Sequence, residues 1–409
     1  MRPAAVLAVL GPGMLLAATG VGAGDLATAA FAGGHLGVAV LWAVIVGALF
    51  KFVLNEGLAR WQLATGLSFL EGVAARFGRI ALWLFLPYLL LWSYFVGAAL
   101  VSACGVAAQA LLPIGDDLAG GKRIWGVVHA VAGLALVWVG GFAVFERVMR
   151  ACIVLMFAVV LVTAVRLWPG TAEVAAGLVP SVAHDAQGLS WTLALIGGVG
   201  GTLTVLCYGY WMRAAGREGA AAMRVTRIDL AVGYAATALF GMAMVIIGSR
   251  VPVGGSGANL IVDLGDQLQA ALGPGARLLF LIGAWGALFS SLLGVWQAVP
   301  YLFADVGRVL GWIRIRPAGL DSSTAYRAYL LALALLPTFG LLSGFERMQK
   351  LYAMVGAAFI PVLALALLVM NGSRVRLGPL RNGGATVALL TGVLLFFVVL
   401  AVRGVRAGG

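Results

Sequence analysis

Long apolar segments, separated by short polar connections, run through the whole chain. Windows of about twenty apolar residues predict eleven membrane-crossing helices, because a helix of that length spans a hydrocarbon core of roughly 30 Å. The polar connections are too short to fold on their own. The predicted spans lie near residues 7–32, 37–57, 80–112, 123–141, 148–168, 190–213, 228–249, 276–303, 326–343, 350–371 and 385–403.

A weak internal repeat divides these spans into two halves. Gly20–Gly24 in the first span reads GVGAG, and Gly198–Thr202 in the sixth span reads GVGGT. The two copies are five spans apart, and an odd offset gives them opposite orientations in the membrane. We therefore expect an all-α integral membrane protein with a single transmembrane domain over residues 1–409. Its parts are a first repeat over 7–168, an inverted repeat over 190–371 and an eleventh helix over 385–403.

The composition agrees with a membrane protein and changes how the charge is interpreted. Apolar residues make up 62% of the chain, charged residues 10%, and the mean hydropathy is +1.05. A net charge of +12 would suggest nucleic acid in a soluble protein. Here about two thirds of the 27 lysines and arginines, Lys51 among them, are assigned to connections that face the cytoplasm if the N-terminus is inside. This pattern predicts a multi-pass protein of the cell (inner) membrane, with a cytoplasmic N-terminus, an external C-terminus, the lipid bilayer as its partner and no nucleic acid.

A single carboxylate, Asp25, lies in the glycine-rich middle of the first span. Each glycine costs roughly 1 kcal/mol in a helix, and a mid-membrane carboxylate costs roughly 2.5 kcal/mol or more without a polar environment. Both costs are explained if the helix unwinds, which would leave the carbonyl groups from Thr19 to Gly22 to bind a cation. Alternatively, Asp25 caps a half-helix that begins at Leu26, and the glycines allow close helix packing.

The sixth span has no acid but carries a second glycine cluster. Gly197, Gly198, Gly200 and Gly201 precede Thr202 and Thr204. Unwinding here would expose carbonyl and hydroxyl oxygens opposite Asp25, although a threonine in a membrane helix often bonds its own i−4 carbonyl instead. The predicted metal ligands are Asp25, Thr19, Gly22, Gly201 and Thr204.

Other chemistries lack the residues that they need. Neither glycine cluster follows a strand in a βαβ unit, as a dinucleotide site requires. The histidines His35, His129 and His184 are scattered, without an HExxH motif, and Cys104, Cys152 and Cys207 lie singly in apolar segments. We therefore expect neither an enzyme nor a bound cofactor.

Two further sets of residues have a functional and a structural interpretation. Glu56 could gate an inner vestibule, but pairing with a neighbouring basic residue is favoured. Trp92, Tyr94 and Tyr208 could form the walls of a substrate cavity, but ordinary helix packing is favoured for each.

Several motifs, in the same order along the chain, resemble the NRAMP family of divalent-metal transporters. At the start, the resemblance is carried by Gly11-Pro12-Gly13, Gly24, Trp42, Arg60 and Thr65-Gly66. Weaker similarity continues through Trp125-Gly126, Phe142 to Glu146, Ala287 to Gly294 and Phe359-Ile360-Pro361. The resemblance implies the LeuT-type fold, an inverted repeat of five plus five helices and an eleventh helix, with helices 1 and 6 unwound at mid-membrane.

The chain departs from the family at the site that the resemblance implies. The family's aspartate-proline-glycine-asparagine motif falls on Gly22 to Asp25, so Gly22 replaces the ligand aspartate and a carboxylate stands three residues later. The methionine-proline-histidine-asparagine motif of the sixth helix falls on Thr204 to Cys207, which removes the soft sulfur ligand. The remaining all-oxygen site suits magnesium or manganese. Ala99 and Ser102 replace the acidic residues of the third helix, which argues against proton coupling.

These observations predict a secondary-type transporter that moves a divalent cation, with magnesium or manganese favoured, by alternating access and without proton coupling. The cation is the transported substrate and not a cofactor. The alternative is a transporter of a small organic solute such as an amine or amino acid, because a lone aspartate at a broken helix can pair with an ammonium group. A scaffold that does not transport is disfavoured, because two broken helices would be a costly arrangement for it.

Overall fold

The computed structural model describes residues 11–181, 185–250, 260–343 and 345–408, and all regular structure within these ranges is helical. The predicted residues 7–10 and His184 lie outside them. Nine helical stretches of the described chain are long and apolar enough to cross a membrane, and Gly384–Val399 is a shorter apolar helix. The division into repeats at 7–168 and 190–371 stays a prediction.

Seven α-helices lie in the described part of the first half of the chain. They are α1 (Pro12–Gly20), which continues through a π-helix (Val21–Thr28) into α2 (Ala29–Leu36), then α3 (Leu41–Thr65), α4 (Phe69–Phe77), α5 (Ile80–Leu111), α6 (Leu118–Arg166) and α7 (Thr171–Gly177).

Nine more lie in the described ranges of the second half. They are α8 (Ala186–Gly198), α9 (Tyr208–Ala214), α10 (Met223–Arg250), α11 (Leu260–Leu272), α12 (Pro274–Leu310), α13 (Thr324–Leu335), α14 (Phe345–Met370), α15 (Arg374–Leu377) and α16 (Gly384–Gly408). A 3₁₀-helix, Leu203–Cys207, precedes α9, and another, Leu336–Leu342, follows α13.

Each predicted span falls on a helix, but the fourth and fifth spans share one. Helix α6 has 49 residues and would be about 74 Å long if it were straight, well over the thickness of a bilayer. The residues between the two predicted spans are helical as well. They contain no proline, so nothing in their sequence forces the helix to end.

The first helix does not unwind, and the prediction that it does was wrong. Between α1 and α2 the chain forms the π-helix Val21–Thr28, which contains Asp25. A π-helix bonds i to i+5 and therefore keeps its backbone groups paired, as a membrane interior requires. Backbone groups at the start of the π-helix and at the end of α1 also find a partner on α12: the hydroxyl of Ser291 accepts from the amide of Gly22 at 2.8 Å and donates to the carbonyl of Thr19 at 2.6 Å.

The sixth span is broken, as its glycines predict. Helix α8 ends at Gly198, and regular structure resumes only at Leu203. Gly200 and Gly201 in the gap have φ angles of 73° and 81°, in the left-handed region that glycine adopts without strain. We call residues 199–202 the break.

Candidate functional site

The carboxylate of Asp25 connects the first helix to the break. The residue is fully buried, and its Oδ1 accepts a hydrogen bond from the amide of Gly200 at 3.1 Å. Its Oδ2 has no hydrogen-bond partner in the part of the chain that the structure describes. Because no helix begins at Leu26, the alternative that Asp25 caps a half-helix was wrong. One carboxylate oxygen is therefore fixed by the break, and the other remains available to a ligand.

Glycines allow the first helix to lie directly against the break and against α12. A Cβ atom at Gly20 would lie 2.8 Å from the amide nitrogen of Gly201, and one at Gly22 would lie 2.2 Å from Oγ of Ser291. These distances are too short for real Cβ atoms. The packing role that was considered for these glycines is therefore present, whatever else the segment does.

Lys51, on α3, lies at this site and was not predicted as a site residue from the sequence. The prediction that Lys51 lies in a cytoplasmic connection was wrong, because its side chain is fully buried. Its ammonium group donates to the carbonyl oxygens of Gly197, Val199 and Gly201 at 2.8, 3.0 and 2.5 Å. Lys51 and Asp25 also attract each other electrostatically. A signal was present: the residue lies within the predicted span 37–57, and an ionisable residue inside a membrane span is a functional candidate by default.

Two of the predicted ligands, Thr19 and Gly22, are held by contacts with α12 and with their own helix. The hydroxyl of Thr19 donates to the carbonyl of Leu15 at 2.7 Å, which is the i−4 bond that was the alternative to a ligand role. The carbonyl of Thr19 already accepts from Ser291, and the amide of Gly22 donates to the same hydroxyl.

The other two predicted ligands, Gly201 and Thr204, lie at the break. The carbonyl of Gly201 accepts a hydrogen bond from the ammonium group of Lys51. Thr204 is buried, and its hydroxyl lies beside Gly201. Among the described residues there is no cluster of three His, Cys, Asp or Glu side chains that could hold a metal ion. The structure thus brings Asp25 and Gly201 to the same break. The ligand roles of all five residues stay a prediction.

Aromatic side chains surround the break, and Trp92 is the one that the sequence suggested. Its indole donates to the hydroxyl of Thr202 at 2.7 Å. Tyr352 also bonds Thr202, and Tyr234 packs against Gly200 and accepts from Asn55. Tyr352 and Tyr234 were missed because they lie far from both glycine clusters in the sequence.

The other two suggested aromatics take part elsewhere. Tyr94 is 36% exposed, and Tyr208 donates to Asp229 at 3.1 Å. Neither contributes to the break in the way that Trp92 does.

Ion pairs whose carboxylates are buried connect several helices. Glu56 accepts from Arg60 and Arg227, both at 2.8 Å, so the favoured pairing interpretation is confirmed. Asp229, which is fully buried, accepts from Arg217 at 2.6 Å and from the amide of Gly13 at 2.8 Å.

A further network joins α4, α9 and α12. Arg308 bonds Asp305 at 2.6 Å and Glu71 at 3.0 Å, and the hydroxyl of Tyr210 donates to Asp305 at 2.8 Å. Together with the pairs of Glu56 and Asp229, it links both halves of the chain.

Relatives with known names are membrane transporters. The divalent metal cation transporter MntH of Deinococcus radiodurans is 25% identical over 319 residues, covering 74% of this chain and 68% of the relative. The MntH of Xylella fastidiosa is 26% identical over 200 residues, covering 47% of this chain and 40% of the relative.

Solved structures confirm the LeuT-type fold. A mutant form of the Eremococcus coleocola manganese transporter superposes with a TM-score of 0.74 at 18% identity, covering 97% of this chain and 85% of that one. MhsT in complex with L-phenylalanine superposes with a TM-score of 0.62 at 16% identity, covering 97% of this chain and 98% of that one. At these identities, the likeness is evidence of fold alone.

The whole-chain comparison agrees with the fold. A statistical model of the Nramp family, described as natural resistance-associated macrophage protein-like, matches residues 13–406. Because this match spans nearly the entire sequence, the chain belongs to the Nramp family.

Proposed function

We propose that the chain is a secondary-type transporter that moves a divalent cation by alternating access, with magnesium or manganese as the favoured cargo. The observation that carries this proposal is the burial of Asp25 between the first helix and the break, with Oδ2 unpartnered. A carboxylate at this depth is costly, and such residues mark ion pathways.

The donor atoms around Asp25 favour a hard cation. The oxygen donors at the break are the carboxylate of Asp25, the backbone carbonyl groups and the hydroxyl of Thr204, which lies beside Gly201. The nearby thiol of Cys207 donates to the carbonyl of Ala298 instead. Oxygen ligands suit magnesium and manganese better than softer metals. The names of the relatives, which refer to divalent metals and manganese, support the same class of cargo.

Lys51 constrains how such a cation can bind. A divalent cation at Oδ2 of Asp25 would be repelled by the ammonium group that holds the break. In the proposed cycle the side chain of Lys51 therefore withdraws from Gly201 as the cation enters. The freed carbonyl then becomes a ligand together with Asp25.

The proposed transport is not coupled to protons. Helix α5, where the family places proton-transfer acids, contains no aspartate, glutamate or histidine anywhere in Ile80–Leu111. Ala99 and Ser102, which stand at the implied positions, are both buried. Neither side chain has an acidic or basic group that could take up and hold a proton, as the family's acidic residues can.

The proposed membrane orientation places the N-terminus in the cytoplasm and the C-terminus outside the cell (inner) membrane. Because Lys51 lies in the protein interior, the predicted cytoplasmic side has one lysine fewer than the sequence pattern assigned to it. The excess of basic residues on that side remains. The ion pairs of Glu56, Asp229 and Asp305 would then close the cytoplasmic side of the break.

A small amine is the second candidate cargo, and one observation favours it. The three carbonyl oxygens at the break already bind an ammonium group, that of Lys51. An ammonium group on a dissolved amine has the same chemistry, and Asp25 could balance its charge.

Uptake into proteoliposomes distinguishes these cargoes. Purified protein is reconstituted and offered magnesium, manganese, calcium or a small amine, and Asp25→Asn is compared with the wild type. Glu173→Gln serves as a control, because Glu173 is an exposed acid in a surface ion pair. We expect magnesium or manganese uptake by the wild type and the control, and none by Asp25→Asn.

Three outcomes would contradict parts of the proposal. Uptake by Asp25→Asn with unchanged affinity would remove Asp25 from the site. Uptake of the amine without that of any metal would favour the second candidate. Acidification of the vesicle interior during metal uptake would contradict the uncoupled mechanism.

A further inference from the structure

The ammonium group of Lys51 fits the break as a bound ion would. A protonated lysine has three N–H donors and no acceptor. Three carbonyl oxygens accept from it, two in the break and that of Gly197 at the end of α8. All three donors are therefore used. The full set of bonds requires the charged form, because a neutral amine has only two hydrogens.

The carbonyl oxygens belong to a helix end that attracts positive charge. Gly197 lies in the last turn of α8, and Val199 and Gly201 follow it. The last carbonyl groups of a helix lack intrahelical partners and carry partial negative charge. Unwound carbonyls and half-helix C-termini are also the groups that coordinate sodium in transporters with broken helices.

Burial makes this arrangement costly unless the charge is balanced. Lys51 and Asp25 are both fully buried, and a buried charge needs an opposite charge and hydrogen bonds to offset its lost hydration. Asp25 supplies the opposite charge and itself bonds Gly200. Lys51 and Asp25 thus bind the same break and offset each other's charge.

We propose that Lys51 is a tethered cation that fills a monovalent-cation site formed by the carbonyl oxygens of Gly197, Val199 and Gly201. The break of this chain accordingly keeps its shape without a dissolved sodium or potassium ion. Removing the lysine side chain's charge leaves a site of three carbonyls beside Asp25 that a dissolved cation can occupy.

Thermal unfolding of the purified full-length protein tests this without reference to transport or cargo. Wild type and Lys51→Met are unfolded in sodium chloride, potassium chloride and N-methylglucamine chloride at equal ionic strength. Methionine keeps the length and apolar stem of lysine but lacks its charge. Lys350→Met is the control, because the ammonium group of Lys350 lies over the ring of Trp191 and not at the three carbonyl oxygens that Lys51 binds.

We expect the unfolding temperature of the wild type to be the same in all three salts. The unfolding temperature of Lys350→Met should likewise not depend on the salt. Lys51→Met should unfold at a lower temperature in N-methylglucamine chloride, and sodium or potassium should raise that temperature in a saturable manner. The double variant Lys51→Met with Asp25→Asn should not respond, because the charge that retains the cation is gone. A merely structural role for Lys51 would lower stability equally in every salt.

Several results would overturn the proposal. One is saturable stabilisation of the wild type by sodium or potassium, a measurement that needs no variant. Another is a folded Lys51→Met that does not respond to either cation. A third is a Lys51→Met that stays unfolded in every salt although the double variant folds, since a dissolved cation would then be unable to replace the ammonium group.

Discussion

Asp25 and Lys51 are two fully buried, opposite charges that bond neighbouring residues of the same helix break. Asp25 accepts from the amide of Gly200, and Lys51 donates to the carbonyl of Gly201. The negative carboxylate therefore binds a backbone N–H group, and the positive ammonium group binds a backbone carbonyl oxygen. Any cation that reaches the unpartnered oxygen of Asp25 must compete with the ammonium group already present.

This competition predicts the effect of Lys51→Met on metal affinity. Loss of the nearby positive charge removes a repulsion and should tighten magnesium or manganese binding by on the order of tenfold or more. Tenfold corresponds to about 1.4 kcal/mol. Calorimetric titration of purified protein measures the affinity, and Lys350→Met should bind as the wild type does. Unchanged or weaker binding by Lys51→Met would show that the lysine does not oppose the cation.

The fold was predictable from sequence because the membrane imposes it. Spans follow from the length of apolar segments, and the break in the sixth span follows from glycines whose positive φ angles only glycine adopts readily. The π-helix of the first span could not be predicted in this way. Its contacts are distant in sequence: Ser291, whose hydroxyl accepts from the amide of Gly22, lies 269 positions further along the chain.

The site was harder to predict than the fold, again because the residues that form it are far apart in the sequence. Asp25 stands out as an isolated acid, but the acceptors of Lys51 lie 146 to 150 positions away from it in sequence. Lys51 was overlooked because lysines were assigned to the connections between spans, whereas Lys51 lies inside a predicted span. Tyr234 and Tyr352 carry no local signal at all, because their contacts with the break exist only in the folded protein.

Close packing of α12 on the first helix predicts a steric effect at Gly294. A Cβ atom there would lie 2.1 Å from Oγ1 of Thr19 and within 2.8 Å of two further atoms of the same side chain. Gly294→Ala should therefore destabilise the protein by about 1–3 kcal/mol, the usual cost of overpacking. Thermal unfolding measures this loss.

A compensating variant provides the control for this clash. All three of the closest atoms belong to the side chain of Thr19, so Gly294→Ala combined with Thr19→Gly should recover much of the lost stability. The two changes should then be non-additive in a double-mutant cycle. Additive losses would show that the clash is relieved elsewhere.

The buried pair of Asp229 and Arg217 predicts a larger effect than a surface pair. Asp229→Asn would remove the carboxylate that Arg217, whose side chain is only 10% exposed, bonds at 2.6 Å, and breaking such a buried pair costs about 3–5 kcal/mol. Glu173→Gln breaks the exposed pair with Arg250 and should cost less than about 1 kcal/mol. Thermal unfolding of both variants under one set of conditions gives the comparison. Equal losses would contradict the importance of burial.

The two candidate threonine ligands should respond differently to the same substitution. The hydroxyl of Thr19 is bonded to its own helix, whereas that of Thr204 lies beside Gly201 at the break. Valine keeps the shape of threonine and removes the hydroxyl. Thr204→Val should therefore weaken metal binding by roughly tenfold, about 1.4 kcal/mol, and Thr19→Val should leave it nearly unchanged. Calorimetric titration separates the two cases, and thermal unfolding verifies that both variants are folded. Equal affinities for both variants and the wild type would exclude the hydroxyl of Thr204 as a ligand and leave Asp25 and the backbone carbonyls to hold the cation.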